Sequence, residues 1–269
     1  MYCRLLLSGL LAAQALWTTP LLAEQVTVLP KSHAHNDYEH ERPLFDALDN
    51  GFCSVEADIF LADGQLLVGH NRKELQPKRT LEALYLKPLL ERYQKNNGKI
   101  FSDAENFYLL IDLKENGEDI YPVLCSLLAK YDDVLTSFDG EKKNTKAILV
   151  ILSGNSPKEL VLNEKGRRYV TLDGNLSDLD STVSVDLMPL ISSSWKSSFT
   201  WDGKGTMPAE QLTKFREQVQ KVHKAGRMIR YWGAPDNTVV WKLLYQNGID
   251  FINTDKLLEF RKAYPQLGQ

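Results

Sequence analysis

Histidines and paired carboxylates recur at short intervals in the first half of this chain. Ser32-His33-Ala34-His35-Asn36-Asp37-Tyr38 is followed by Ser54-Val55-Glu56-Ala57-Asp58-Ile59, by Leu67-Val68-Gly69-His70 and by Leu109-Leu110-Ile111-Asp112-Leu113-Lys114. An imidazole exchanges protons near neutral pH, and carboxylate oxygens hold hard cations. Together they suit the splitting of a phosphate ester better than simple binding.

Spacing decides which of these side chains can meet. In an extended strand, side chains two residues apart share a face. Glu56 and Asp58 therefore point the same way out of an otherwise apolar run. Adjacent carboxylates repel unless protons or a cation compensate them. Asp112 sits near the end of a later apolar run, and with Glu56 and Asp58 it completes an oxygen-rich set for a divalent cation, Mg2+ or Ca2+. His33 and His35 share a face by the same period, and His70 closes the strand after the Asp63-Gly64 turn. Imidazoles beside carboxylates point to a general acid and a general base. His40 has no such company, and His223, among Lys221, Lys224 and Arg227, reads as a helix-surface residue.

These groups need a scaffold that gathers strand ends. Apolar runs predict strands over 25–35, 52–61, 65–68, 107–113, 147–152, 169–172, 187–193, 227–231 and 249–252. Helical spacing predicts helices over 43–50, 81–93, 120–131, 209–225, 237–246 and 255–264, with Thr80 as a cap and Gly51, Gly226 and Gly248 as stops. Apolar strands alternating with helices indicate a parallel sheet covered on both faces. About eight such units match a single-domain TIM-like (β/α)8 barrel of roughly 250 residues, with an open doubly wound sheet as the alternative.

In a barrel, sites form at the C-terminal ends of the strands, where each motif above falls. Asp173, Ser192 and Ser194 also lie near strand ends. Arg230 and Trp232 share a face at the end of the seventh strand, where a guanidinium suits a phosphate and an indole a head group. Trp195, Phe199 and Trp201 lie in a Ser/Gly-rich stretch that reads equally as a substrate lid or as loop anchors.

Composition narrows the partners. The chain has 269 residues, 25% charged residues and a formal net charge of −3. Nothing basic enough to attract nucleic acid is present, and the chain reads as a monomer with room for peripheral membrane contact. Arg4, an apolar run over 5–17, a polar break and Leu21-Leu22-Ala23 have the order of a secretory signal peptide. The expectation is a cleaved leader over 1–23, one domain over 24–269 and a secreted or periplasmic location. Cys53 and Cys125 would remain after cleavage and read as buried thiols rather than a pair.

His33, Gly51, Glu56-Ala57-Asp58, Asp63-Gly64 and His70 together resemble the phospholipase-C-like phosphodiesterase superfamily. It includes glycerophosphodiester phosphodiesterases, phosphatidylinositol-specific phospholipases C and spider-venom sphingomyelinase D. Asp112-Leu113-Lys114 resembles the metal-binding Asp and phosphate-contacting Lys of the sphingomyelinase D branch, and His33-x-x-Asn36 also matches that branch. Gly248-Ile249-Asp250-Phe251-Ile252-Asn253-Thr254-Asp255 resembles the closing strand. His-Ala-His-Asn-Asp-Tyr with Pro43-Leu44 is closer still to a branch that includes yeast altered-inheritance-of-mitochondria proteins. The His-Arg-Gly and Glu-Asn-Thr of the glycerophosphodiesterases are missing.

The resemblance implies a barrel phosphodiesterase acting on a glycerophosphodiester or lipid-head-group substrate. His33 and His70 would be the catalytic pair. Glu56, Asp58 and Asp112 would bind the metal, and His35, Asn36, Lys114, Arg230 and Trp232 would surround the substrate. One rival is a non-catalytic barrel binding a phosphorylated ligand. Another is a zinc amidohydrolase or phosphoesterase built on His33-x-His35, which would need further histidines on later strands.

Overall fold

The computed structural model of the chain describes residues 26–103 and 106–269. The expected leader over 1–23 lies outside the described residues.

Eight strands build the barrel: β1 (Ser32–Ala34), β2 (Ser54–Ala62), β3 (Phe107–Leu113), β4 (Ile148–Gly154), β5 (Val170–Gly174), β6 (Leu190–Ser194), β7 (Met228–Trp232) and β8 (Ile252–Thr254). All neighbours pair in parallel, in chain order, and β8 pairs back with β1. Between β7 and β8 the ladder shrinks to one bridge, Arg230 to Phe251. The result is a nearly closed TIM-like (β/α)8 barrel. Strand Gln65–Val68 folds back antiparallel on β2 and brings His70 to the rim.

Helices α1 (Phe45–Asp49), α2 (Lys87–Lys95), α3 (Gly117–Leu128), α4 (Lys158–Leu162), α5 (Trp195–Ser198), α6 (Ala209–Lys224), α7 (Thr238–Gln246) and α8 (Leu257–Leu267) intervene between the strands or follow them. The longer ones bury an apolar stripe, such as Phe215, Val219 and Val222 of α6. Asn237 caps α7 by accepting from the Val239 and Val240 amides, and Thr80 accepts from the Ala83 amide.

Period two sorts each strand. Val55, Ala57 and Ile59 of β2 point outward into the helix-covered core, while Ser54, Glu56 and Asp58 line the interior. Low in the barrel the interior is aromatic, with Tyr108 and Phe251 edge to face at 4.9 Å. Higher up it turns polar. Register sets the heights: Asp58 pairs with Asp112, and Ser192 with Arg230.

Some boundaries differ from expectation. β1 is only three residues long, because Leu29 makes an isolated bridge to Phe52 and the chain turns before Ser32. The helix expected over 81–93 opens with a π turn at Glu82–Leu86. A small antiparallel sheet of Ser137–Asp139, Lys142–Asn144 and Arg167–Arg168 was not legible, since its short polar strands lack an apolar run. Cys53 and Cys125 are free thiols.

Candidate active site

The site begins where β1, β2 and β3 leave the barrel. Carboxylate oxygens of Glu56, Asp58 and Asp112 lie within 4.8 Å of one another. Asp58 Oδ2 accepts from the Tyr38 hydroxyl at 2.6 Å and from Lys114 Nζ at 2.7 Å, with His70 Nδ1 at 3.2 Å. Its Oδ1 is buried and has no partner among the described residues. Burial, then the neighbouring Glu56 charge, raises the Asp58 pKa against the pull of Lys114 and Tyr38. Asp112 Oδ2 accepts from Ser153 Oγ at 3.0 Å, and Oδ1 lies 3.3 Å from Lys114 Nζ. Gly154, at φ +66°, leaves the space this carboxylate needs, since a Cβ there would stand 2.6 Å from Asp112 Oδ1.

The donor set fits a hard divalent cation. Every candidate ligand is a carboxylate oxygen, one of them is an orphaned buried atom, and uncompensated charge already disfavours Asp58 ionisation. The charge count agrees. Glu56, Asp58, Asp112 and Asp173 are met by two interior cations, Lys114 and Arg230, so four minus two leaves the charge of one divalent ion.

Two histidines stand at the rim. His70 is 47% exposed at its side chain and His35 31%. His35 Nδ1 lies 2.8 Å from Asp255 Oδ1. A carboxylate only accepts, so Nδ1 carries the proton and Nε2 is left free. Burial would lower the His35 pKa, but Asp255 and Glu56 together raise it.

His33 is different. It is 0% exposed. Nδ1 meets Ser54 Oγ at 2.8 Å, and Nε2 lies 3.0 Å from Glu56 Oε2 and 3.0 Å from Arg230 Nη1. Burial, helped by Arg230, pushes its pKa down to about 4. Both ring nitrogens are thus engaged within the protein, and the ring has no accessible surface. Two residues of strand place His35 about 6–7 Å closer to the rim.

Arg230 is also turned inward instead of toward a phosphate. Nη1 donates to Glu56 Oε2 at 2.7 Å, Nη2 to Asp173 Oδ2 at 3.2 Å and Nε to Ser192 Oγ at 2.9 Å. Burial would raise Glu56, but Arg230, His33 and His35 hold it well below the usual carboxylate range. Burial lifts Asp173 to about 6 despite Arg230.

The remaining expected residues separate. Lys114 joins the carboxylates. Asn36 adopts a left-handed turn, φ 46°, and its side chain meets the Tyr38 hydroxyl at 3.0 Å. Trp232 is exposed at the end of β7. His223 is partly exposed on α6 and bonds Asp250 at 2.8 Å. Trp195, Phe199 and Trp201 are buried loop anchors, with Trp195 Nε1 donating to the Trp201 carbonyl at 3.1 Å. With Gly233 and Pro235 they border an apolar cleft of about 490 Å3 beside the exits of β6 and β7. Two site residues escape sequence reasoning. The sequence marks Tyr38 only as part of the His-Ala-His-Asn-Asp-Tyr motif, and Asp255 as the start of the last helix.

Comparison with known proteins falls on this geometry. The AIM6-like phosphodiesterase domain matches residues 22–173, which carry His33, His35, Glu56, Asp58, His70, Asp112 and Lys114. The chain belongs to the AIM6-like phosphodiesterase family. Its relatives include altered inheritance of mitochondria protein 6 of Lachancea thermotolerans, 34% identical over 88% of this chain and 66% of that protein. The Eremothecium gossypii protein of the same name is 32% identical over 88% and 70%. The chain thus spans about two thirds of these relatives' length. The fold matches a glycerophosphodiester phosphodiesterase from Parabacteroides distasonis, with a TM-score of 0.53 at 18% identity over 89% of this chain and 98% of that one. It also matches a calcium-dependent phosphoinositol-specific phospholipase C from Pseudomonas sp., with a TM-score of 0.52 at 14% identity over 84% and 88%. The family model assigns a phosphodiesterase domain, and the solved structures share its fold.

Proposed function

We propose that this chain is a divalent-cation-dependent phosphodiesterase with its site at the mouth of the barrel. The observation that carries the reading is the pairing of a three-carboxylate cluster, one oxygen unpartnered, with two rim histidines that each tie Nδ1 to protein and leave Nε2 free. Glu56, Asp58 and Asp112 would hold Mg2+ or Ca2+. A bound cation would neutralise a phosphate oxygen and stabilise the charge that develops in the transition state.

The chain's own groups do the rest. Lys114 uses two of its three protons on Asp58 and Asp112 and offers the third to another phosphate oxygen. Its charge persists, because Asp58 and Asp112 raise its pKa beyond what burial removes. His35 and His70 form the acid–base pair. One takes a proton from the attacking water or substrate hydroxyl, and the other gives a proton to the leaving oxygen. His33 and Arg230 hold Glu56 in place from below. The apolar cleft and Trp232 favour a leaving alcohol with apolar surface, a lipid-like head group over free glycerol. The leader pattern supports a secreted or periplasmic setting, and the enzyme acts as a monomer.

The test is hydrolysis of bis-(p-nitrophenyl) phosphate, then of a panel of glycerophosphodiesters, phosphoinositides and lysophospholipids. Turnover should vanish in EDTA and return with Mg2+ or Ca2+. Full turnover in excess EDTA refutes the metal role, and no turnover on any diester refutes the reaction.

A further inference from the structure

We propose that Tyr38 is a positioning residue: its hydroxyl locks His70 in the tautomer that presents Nε2 to the substrate, and ties that ring to Asp58. The inference rests on the acid–base role of His70 given above.

The Tyr38 hydroxyl lies 2.6 Å from Asp58 Oδ2, 3.0 Å from Asn36 Oδ1 and 3.1 Å from His70 Nδ1. It has one proton to donate. The carboxylate is the strongest acceptor and the closest, so the proton lies toward Asp58. The phenol oxygen then turns a lone pair toward His70. Nδ1 therefore faces two acceptors, Tyr38 Oη at 3.1 Å and Asp58 Oδ2 at 3.2 Å. Only a protonated Nδ1 satisfies both. A neutral ring then carries its lone pair on Nε2, on an imidazole that is otherwise open to the rim. Asn36 Oδ1, 3.0 Å from the hydroxyl, is a second acceptor on the side of its proton and leaves the lone pair toward His70 undisturbed.

The surrounding turn is built to hold this phenol still. Tyr38 is buried, and its carbonyl accepts from Arg79 Nη2 at 2.5 Å. The preceding Asp37 is clamped by the Leu44 amide at 2.6 Å and the Tyr85 hydroxyl at 2.9 Å. Asn36 takes the left-handed conformation that asparagine tolerates better than most residues, and so reverses the chain between His35 and Tyr38. The short His-Asn-Asp-Tyr segment thus delivers the rim histidine of β1 at one end and the hydroxyl that orients the other rim histidine at its other end. A ring that merely filled the core would not need its oxygen at this junction.

The experiment compares the chain with Tyr38→Phe, which keeps the ring and removes the hydroxyl. Imidazole 15N spectra at about pH 8, where an ordinary histidine is neutral, are assigned with His70→Ala. They should show the Nδ1–H form of His70 in the parent and a rise of the Nε2–H form in Tyr38→Phe. Kinetics on bis-(p-nitrophenyl) phosphate should show kcat falling by about 10–100-fold with KM unchanged. An Nε2–H tautomer in the parent overturns the proposal without need of any variant. So does a Tyr38→Phe protein of parental unfolding temperature with parental spectra and kcat. A parent that turns over no diester yet shows the tautomer shift removes the reaction assigned above and leaves the positioning of His70 by Tyr38 standing.

Discussion

On the β1–β3 side of the barrel mouth, bonding capacity is left open. Asp58 Oδ1 is buried without a partner, Lys114 has a proton to give, and His35 and His70 present free Nε2 atoms. On the β5–β7 side the cation's donors are used up, although Asp173 Oδ1 too is buried without a partner among the described residues. Each nitrogen of Arg230 meets Glu56, Asp173 or Ser192, and His33 is sealed beneath them. Both sides hold carboxylates and a cation in close contact, so residue types alone do not distinguish them. Each side keeps one unpartnered carboxylate oxygen, so the difference lies in the remaining groups: Lys114 and the two rim Nε2 atoms stay open, whereas every Arg230 nitrogen is engaged. Open donors and lone pairs can meet a ligand, whereas a buried guanidinium with every nitrogen engaged acts as scaffold. Glu56 belongs to both sides. Its Oε2 is held from below, which fixes the carboxylate beside the cluster above.

That contrast can be broken from either side. The largest effect is expected at Asp58. Asp58→Asn, nearly isosteric, should lower kcat/KM on a diester by on the order of 10³-fold, with little change in unfolding temperature. Next come the histidines. His35→Ala and His70→Ala should each lower kcat by about 10²–10⁴-fold while the fold persists. His33→Ala should act chiefly through stability and metal affinity. If His33→Ala abolishes turnover while His35→Ala retains it, with both proteins equally stable, the rim assignment is reversed.

The closed side should answer in stability. Arg230→Met leaves Glu56 and Asp173 as buried carboxylates without their cation, and a loss of about 3–5 kcal/mol in denaturant unfolding is expected. A loss below about 1 kcal/mol would mean that the guanidinium is not the compensating charge. The smallest effect concerns pH. Asp173 is raised in the fold from 3.8 to about 6, so the folded state holds its proton more tightly than the unfolded state. Its contribution to stability is therefore full below pH 3.8 and is lost as pH rises toward about 6, with no further change above. Asp173→Asn should flatten that part of the stability profile. An unchanged slope would show that Asp173 does not titrate in this window.

Much of this was legible in the chain. The period-two pairs Glu56/Asp58 and Asp112/Lys114 sit in apolar runs long enough to mark buried strands, so both the barrel and the acidic cluster could be read. Depth was harder. His33 and His35 share a face, and period two does not say which one clears the rim. That depends on β1 ending at Ala34. Arg230 and Trp232 share a face likewise, yet one lies inside and the other at the mouth. Tyr38 was not legible as a site residue, because its role depends on a left-handed turn at Asn36 and on a hairpin that returns His70 from 32 residues away. Contacts of that kind are set by tertiary packing, which local patterns do not encode.

Whether the open side holds a cation can be measured directly. Calorimetric titration of Mg2+ and of Ca2+ into metal-stripped protein, beside Asp58→Asn, reads this without reference to any substrate. The prediction is saturable binding of one ion in the parent and a loss of at least about tenfold in affinity in Asp58→Asn. Absence of binding by both ions, or equal binding by parent and variant, would contradict it.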